Sequence, residues 1–414
     1  MKINRRKSDR KLILIAAHSA SRGGAEYCLD TFLAHLDRDR FDAQILFAWD
    51  GPMAESARAR GYHVEIWPWA WWMSYQPDGW YYRNLTGGGL LRVFRLLRRF
   101  RKQQIDLVYT NTAVIFEPAL AAWLAGIPHV WHVHEILTPT HTRPHLFPLR
   151  QLVRWIGRWS RLVVFESNTA RQVCQRYIPQ RKMRTVYNSL RFFPPGQVAA
   201  NSHINISTAQ GDSGSISPDG FCRVVWIGRF SERKDPLAFV HAIARMQRSN
   251  QCRFVLVGEG PLAAEVRRAI QSLALTDRCQ VLPFQDDIRP VLQSSDFLVL
   301  TSREESFGLV LIEAAAYGLP AIATRTQGPT EIIVDGKTGL LVEPGNVTEL
   351  ALAMDRLFAD SEMRLQMGLS AAQRARDWFC PRKNTRQLEL IFWEAMGRRN
   401  RAASGKVVEP SARS

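Results

Sequence analysis

The chain has little of what would place it outside the ordinary globular class. Cysteine is scarce: six residues in 414, Cys28, Cys174, Cys222, Cys252, Cys279 and Cys380, with no CxxC and no two at metal-ligand spacing. That excludes a zinc ribbon or a disulfide-dense scaffold and reads as reduced thiols in a cytosolic protein. Long apolar runs are missing too. The stretch nearest to spanning length, residues 113–131, is interrupted by Glu117, Pro118, Gly126 and Pro128, so a buried helix followed by a strand is expected there and no spanning helix. The start, Met1 to Lys11, is basic, and the apolar run after it, Leu12–Ala17, is too short for a secretory signal. Acid is in deficit, with 38 Asp and Glu against 55 Lys and Arg and a formal net charge of +17. Such an excess calls for an anionic partner: nucleic acid, a lipid surface or an acidic substrate. No helix-turn-helix, RNP or zinc module accompanies it, so nucleic acid is not expected.

What is present is an alternation. Leu12–Ala17, Ala43–Trp49, Leu107–Thr110, His129–His134 and Leu162–Glu166 read as short buried strands between helical patterns. The same holds for Val224–Ile227, Phe254–Val257, Gln280–Pro283, Phe297–Leu300 and Ala321–Thr324. Continuous apolar strands separated by helices mean parallel sheets covered on both faces. The length suits two such cores, giving an α/β fold of two doubly wound, Rossmann-like domains. Between them, Phe192 to Gly220 is rich in Pro, Gly and Ser without apolar periodicity and reads as a linker.

The densest signal runs from Arg303 to Pro320, REESFGLVLIEAAAYGLP. It follows a buried strand and opens a helix, which places Thr301–Gly308 at the C-terminal edge of a parallel sheet, where open α/β folds bind ligands. The N–H groups of Phe307, Gly308 and Leu309 at a helix start favour anionic oxygens, and Gly308 permits close approach. Glu305 and Glu313 are eight residues apart. On one helix that is about 12 Å, beyond the roughly 5–9.5 Å of a carboxylate pair working on one glycosidic bond. They are better suited to hold two hydroxyl-rich ends of one elongated ligand. Asp286-Asp287 lacks a metal-binding context and reads as a helix cap.

This E-x7-E element with SFG and AxxxGxP resembles the retaining GT-B glycosyltransferases of family 4 (glycosyl transferases group 1). Three further segments carry the resemblance: Val225–Asp235 (VWIGRFSERKD), Val257–Pro261 (VGEGP) and Gln327–Val342 (QGPTEIIVDGKTGLLV), the last with Gln327 where the family has glycine. The resemblance implies two domains facing across a cleft and a sugar nucleotide as donor substrate, with no cofactor and no metal. It implies that Arg229 and Lys234 meet the charge of the leaving diphosphate, Glu305 the donor sugar and Glu313 the ribose, with the base near Val281–Phe284. Gly258, Ser306, Phe307, Gly308 and Leu309 would line the donor site. It also implies retention of anomeric configuration and a glycan or lipid-linked saccharide as acceptor in cell-surface polysaccharide assembly. The alternative is a nucleotide- or carbohydrate-binding protein, or a sugar-nucleotide epimerase, on the same fold. The expected layout is residues 1–190 as acceptor-side domain, 191–220 as linker and 221–380 as nucleotide-sugar domain. Residues 381–397 would form a helix packing back on the first domain, and 398–414 a basic disordered tail.

In the first half, Gly23 and Gly24 follow the first strand and lead into a helix, where phosphate or the transferring sugar can approach. They match the family's GGAE. His132 and His134 alternate on one face of a strand. The resemblance places a histidine at this strand's end, and His134 is favoured, with His132 as the alternative. Asn188-Ser189 resembles the family's NG, and Ser167 reads as lining or turn. Leu90 to Lys102 is a basic amphipathic helix, with Leu90, Val93, Phe94, Leu97 and Phe100 on one face. Aromatics crowd before it, from Trp67 to Tyr75 and from Trp80 to Tyr82. Both features suit contact with an anionic membrane surface, and the chain is expected in the cytoplasm, peripheral on that face of the membrane.

Overall fold

The computed structural model describes residues 10–73, 88–138, 147–192 and 220–397. The aromatics Tyr75, Trp80, Tyr81 and Tyr82, most of the expected linker and the basic tail lie outside the described residues. The chain divides into two compact units, residues 1–189 with 381–414, and residues 190–380.

Unit 1 is a seven-stranded parallel sheet in the order β3-β2-β1-β4-β5-β6-β7. Its strands are β1 (Lys11–Ala17), β2 (Phe41–Phe47), β3 (His63–Ile66), β4 (Leu107–Thr110), β5 (His129–Val133), β6 (Leu162–Phe165) and β7 (Met183–Thr185). Its helices are α1 (Gly24–His35), α2 (Pro52–Ala59), α3 (Gly89–Lys102), α4 (Glu117–Ala125), α5 (Leu149–Trp159), α6 (Asn168–Cys174) and, from the end of the chain, α14 (Pro381–Ala395). Residues of β1 alternate between two cores, as the pleat requires. Ile13 and Ile15 pack with residues of α1, α2 and α14. Leu12 and Leu14 pack on the other face with Val93, Leu96 and Phe100 of α3 and with Ala121 and Ala122 of α4.

Two expectations change here. The apolar face of α3 is rotated from the one expected: Gly89, Val93, Leu96 and Phe100 are buried, while Leu90 and Phe94 are exposed. Two arginines fix this rotation. Arg92 donates to Glu117, which is fully buried, at 2.9 Å, and Arg99 reaches Glu65 and Gln44 at 2.7–2.8 Å. The aromatics before α3 that the structure describes are largely core, not surface. Trp69 and Trp72 are buried with their indole N–H groups donating to Ala17 O and Ala113 O, and Trp72 stacks against Trp131 at 5.7 Å.

Unit 2 is a six-stranded parallel sheet in the order β10-β9-β8-β11-β12-β13. Its strands are β8 (Cys222–Ile227), β9 (Cys252–Val257), β10 (Cys279–Leu282), β11 (Phe297–Leu300), β12 (Ala321–Thr324) and β13 (Gly339–Val342). The helices that bear on the site are α7 (Pro236–Arg245), α8 (Ala263–Ser272), α10 (Leu309–Ala316), α12 (Val347–Ala359) and α13 (Ser361–Trp378), with α9 (Arg289–Gln293) and α11 (Pro329–Ile332) as short connections. Trp226, Phe239, Phe254, Phe297 and Met354 fill one core. All six cysteines are free, and Cys222 and Cys252, thirty residues apart in the chain, are register partners on β8 and β9. Unit 2 begins before the expected linker ends: Leu190 N–H donates to Phe379 O at 3.0 Å.

Candidate active site

In both units the strand order reverses beside the first strand, between β1 and β4 and between β8 and β11. At such a switch point adjacent crossovers run to opposite faces and leave a crevice beyond the carboxyl ends of the strands. The residues singled out by sequence gather at these two edges.

In unit 2, the loop after β8 carries Gly228 and Arg229 and passes under the loop after β9. Glycine is obligatory there. A Cβ on Gly258, at φ 147°, would stand 1.9 Å from Gly228 O, and one on Gly260, at φ 153°, 2.4 Å from Phe230 O. Arg229 is exposed. Lys234 turns inward to form an ion pair with Glu305, which is buried and also accepts from Ser302 Oγ at 3.1 Å. Burial pushes the Glu305 carboxyl up, but the Lys234 ammonium, with Arg233 and Ser302, outweighs it and holds the group below the ordinary carboxylate range. The loop that presents Lys234 is pinned by Asp235. This residue sits in the left-handed region at φ 46°, caps α7 through Ala238 N–H and accepts from Arg303 at 2.7 Å. Thr301, at the end of β11, donates to Asp235 O and accepts from Trp226 Nε1.

Glu305 does not lie on a helix. α10 starts at Leu309, and Gly308 breaks the chain at φ 97°. The helical spacing expected between Glu305 and Glu313 therefore does not apply: Glu305 belongs to the loop, Glu313 to the first turns of α10. The N–H groups of Gly308 and Leu309 meet no acceptor among the described residues, which leaves them for a ligand. Phe307 is buried, edge-on to Phe379 at 5.8 Å, and anchors the loop. Ser306 is half-buried beside it. The loop is closed by Gly328, whose N–H donates to Glu305 O at 2.9 Å and whose missing side chain makes room for Phe307 O. Gln327, where the family has glycine, keeps its Oε1 buried without a partner among the described residues. Glu313 is buried and paired with Arg191, which falls at the start of the expected linker. Burial raises its carboxyl, and Arg191 only partly opposes this. Phe284 is exposed after β10, its N–H directed at Glu259 at 3.3 Å.

In unit 1, Gly23 precedes α1 and Gly24 opens it; a Cβ on Gly23 would meet the Glu26 carboxylate at 2.5 Å. Glu26 turns back toward His18, 3.4 Å away. Burial, then the charge of His134, lowers the His18 imidazole to about 4, and burial raises the Glu26 carboxyl. His132 and His134 share one face, ring centroids 4.1 Å apart, but have different partners. His132 Nδ1 meets Tyr109 OH at 2.6 Å, and burial drives this imidazole well below its ordinary value. His134 follows the end of β5. Its Nε2 meets Asn111 Oδ1 at 3.1 Å and its Nδ1 lies 3.4 Å from Glu166, which accepts from Asn188 Nδ2 at 2.6 Å. His134 thus stands beyond the strand end between Asn111 and Glu166, whereas His132 lies within β5 and is tied to Tyr109. Ser167 is the N-cap of α6, accepting from Ala170 N–H. His18, Asn111 and Glu166 escaped the sequence reading, because isolated residues at strand ends carry no spacing signal. Among the described residues no cluster of His, Cys, Asp and Glu suits a metal ion.

Comparison with known proteins gives the family and the fold. Residues 215–374 match the family model "Glycosyl transferases group 1", and residues 22–190 match "Glycosyltransferase Family 4"; together the spans cover well over half of the chain. N-acetyl-alpha-D-glucosaminyl L-malate synthase of Bacillus anthracis is 31% identical over 221 residues, 53% of this chain and 55% of that protein. The chain thus spans about half the length of that curated relative. Alpha-D-kanosaminyltransferase of Streptomyces kanamyceticus is 25% identical over 296 residues, 69% of this chain and 76% of its own. The fold is GT-B. The crystal structure of Anabaena Alr3699/HepE in complex with UDP superposes with a TM-score of 0.73 at 24% identity, over 92% of this chain and 99% of that one.

Proposed function

Because the chain belongs to the group 1 (family 4) glycosyltransferases, we propose that it transfers a sugar from a nucleoside-diphosphate sugar to a hydroxyl of a glycan or lipid-linked saccharide. The observation that carries this reading is the Lys234–Glu305 pair at the switch point of unit 2, beside a glycine-floored loop and the open N–H groups of Gly308 and Leu309.

Leaving diphosphate gains charge as the sugar departs, so fixed cations and N–H dipoles placed where that charge develops lower the barrier. Lys234 is held by Glu305 and by the Asp235 cap, so little reorganisation is needed. Arg229 adds an exposed guanidinium that can grip phosphate oxygens in bidentate fashion. With these cations we assign no metal to the reaction; activity should persist in excess EDTA. Glu305 is assigned to the sugar hydroxyls and Glu313 to the ribose, with Arg191 holding its carboxylate in place. In unit 1, His134, backed by Glu166, is assigned to the acceptor side. Transfer with retention, and an acceptor from cell-surface polysaccharide assembly, complete the reading.

Thermal unfolding of the full chain with UDP, GDP and ADP, and then with their sugars, tests it. UDP is the first to try, since the Anabaena protein is described with it. A ligand that binds only the native state raises the midpoint, by the equivalent of about 2.7 kcal/mol at a hundredfold excess over Kd. Failure of every nucleoside diphosphate to bind at millimolar concentration would remove the assignment.

A further inference from the structure

The helices on one face of the unit 1 sheet carry a surface that the donor chemistry does not use. On α3, Leu90, Leu91 and Phe94 are 65%, 63% and 54% exposed, at the spacing of one helical face. Arg95, Arg98, Arg101 and Lys102 are exposed on the same side. The next helix, α4, ends in exposed Trp123 and Leu124. On α5, Arg150, Arg154 and Arg158 form an exposed stripe at i, i+4 and i+8, preceded by exposed Phe147. The three helices are neighbours: α3 and α4 share a core, and α4 and α5 are joined where Arg158 lies 5.5 Å over the Trp123 ring. Arg98 likewise lies over Phe94 at 5.0 Å, and Arg154 over Tyr177 at 5.8 Å.

Two facts separate this from an ordinary solvated face. The only carboxylate on the three helices, Glu117, is buried and held by Arg92, so none balances the seven exposed cations. None of those seven forms an ion pair with a described residue. The large apolar side chains stand among the cations, where water gains nothing from them. A surface with interleaved aromatic, aliphatic and guanidinium groups matches the headgroup boundary of a bilayer. There Leu, Phe and Trp enter the acyl edge while Arg keeps its stem along them and its charge at the lipid phosphates.

We propose that α3, α4 and α5 form a docking face for an anionic lipid bilayer. The face is built from unit 1 alone and does not depend on donor binding, so the two readings fail separately. The experiment is flotation of the full chain, without nucleotide, on phosphatidylcholine vesicles with and without phosphatidylglycerol, at low and high salt. Binding is expected only with phosphatidylglycerol. Each basic residue near such a surface contributes roughly fivefold, so Arg98→Gln with Arg154→Gln should weaken binding about 30-fold, still with an unaltered melting temperature. Leu91→Asp with Phe94→Asp should abolish the binding that survives high salt. Equal binding to neutral vesicles would overturn the proposal. So would variants that float like wild type, which would assign the lipid to the basic chain ends, or displacement of the vesicles by duplex nucleic acid with no loss in the apolar variant.

Discussion

At the scale of single residues, the proposed donor edge is a balance between burial and pairing. Glu305 is buried, yet its carboxyl lies below the ordinary range because Lys234 faces it. A lowered carboxylate stabilises the fold above its unfolded value, and that contribution is lost as pH falls through the folded value. Replacing Lys234 by Met removes the partner and leaves a buried charge. The expected loss at neutral pH is about 3–5 kcal/mol, and it should close as pH falls and Glu305 takes up a proton in both proteins. Melting curves of wild type and Lys234→Met from neutral to acid pH check the sign. A gap that stayed constant with pH would show that the pair is not what holds the loop. Glycosyl transfer at saturating donor should drop by about 100- to 1,000-fold in the same variant.

At the scale of elements, the site is a set of loops whose shape glycine dictates. Gly258 has φ 147°, and Gly228 O occupies the place of its Cβ. Gly258→Ala therefore meets backbone, not a side chain that can swing away, and the loops after β8 and β9 must separate. A loss of about 3 kcal/mol is expected, with nucleotide affinity falling alongside, read by unfolding and by calorimetry. Gly318→Ala, where φ is 73° but no atom lies within 4 Å of the added carbon, isolates the cost of backbone conformation alone. Why Gly258 was legible and Glu166 was not follows from the same physics. β8, β9, β11 and β12 are buried on both faces and read as continuous apolar runs, and the loop glycines between them fall at fixed offsets. β3, β7 and β13 are not among the expected strands: His63–Ile66 is half polar, Met183–Thr185 is a three-residue edge strand, and Gly339–Val342 is a four-residue strand opened by glycine. The rotation of α3 was missed because its register is set by Arg92 and Arg99 finding Glu117 and Glu65. Those contacts lie 25 and 34 residues away and have no trace in local periodicity.

At the scale of the whole molecule, α14, the last helix among the described residues, completes the first unit. α14 lies in unit 1, where Phe392 is fully buried with its ring 5.2 Å from Tyr109, 5.8 Å from Phe32 and 6.2 Å from Phe41. Tyr109 in turn bonds His132 Nδ1 at 2.6 Å and Asn111 Oδ1 at 2.9 Å, and Asn111 orients His134. α14 thus supports the histidine cluster through Phe392 and Tyr109, while Lys234, Glu305 and Glu313, proposed for the donor, belong to unit 2. Phe392→Ala removes the contact and leaves a cavity beneath Tyr109, at an expected cost of about 3–5 kcal/mol and a fall in melting temperature on the order of 10 °C. Freed from Phe392, Tyr109 can shift toward the cavity and take Asn111 and His132 with it, so turnover should fall. Nucleoside-diphosphate affinity, read by calorimetry well below the new midpoint, should hold at the wild-type value, since Lys234, Glu305 and Glu313, proposed for the donor, all belong to unit 2. Loss of affinity in step with turnover would mean that the two units do not divide donor and acceptor work in this way.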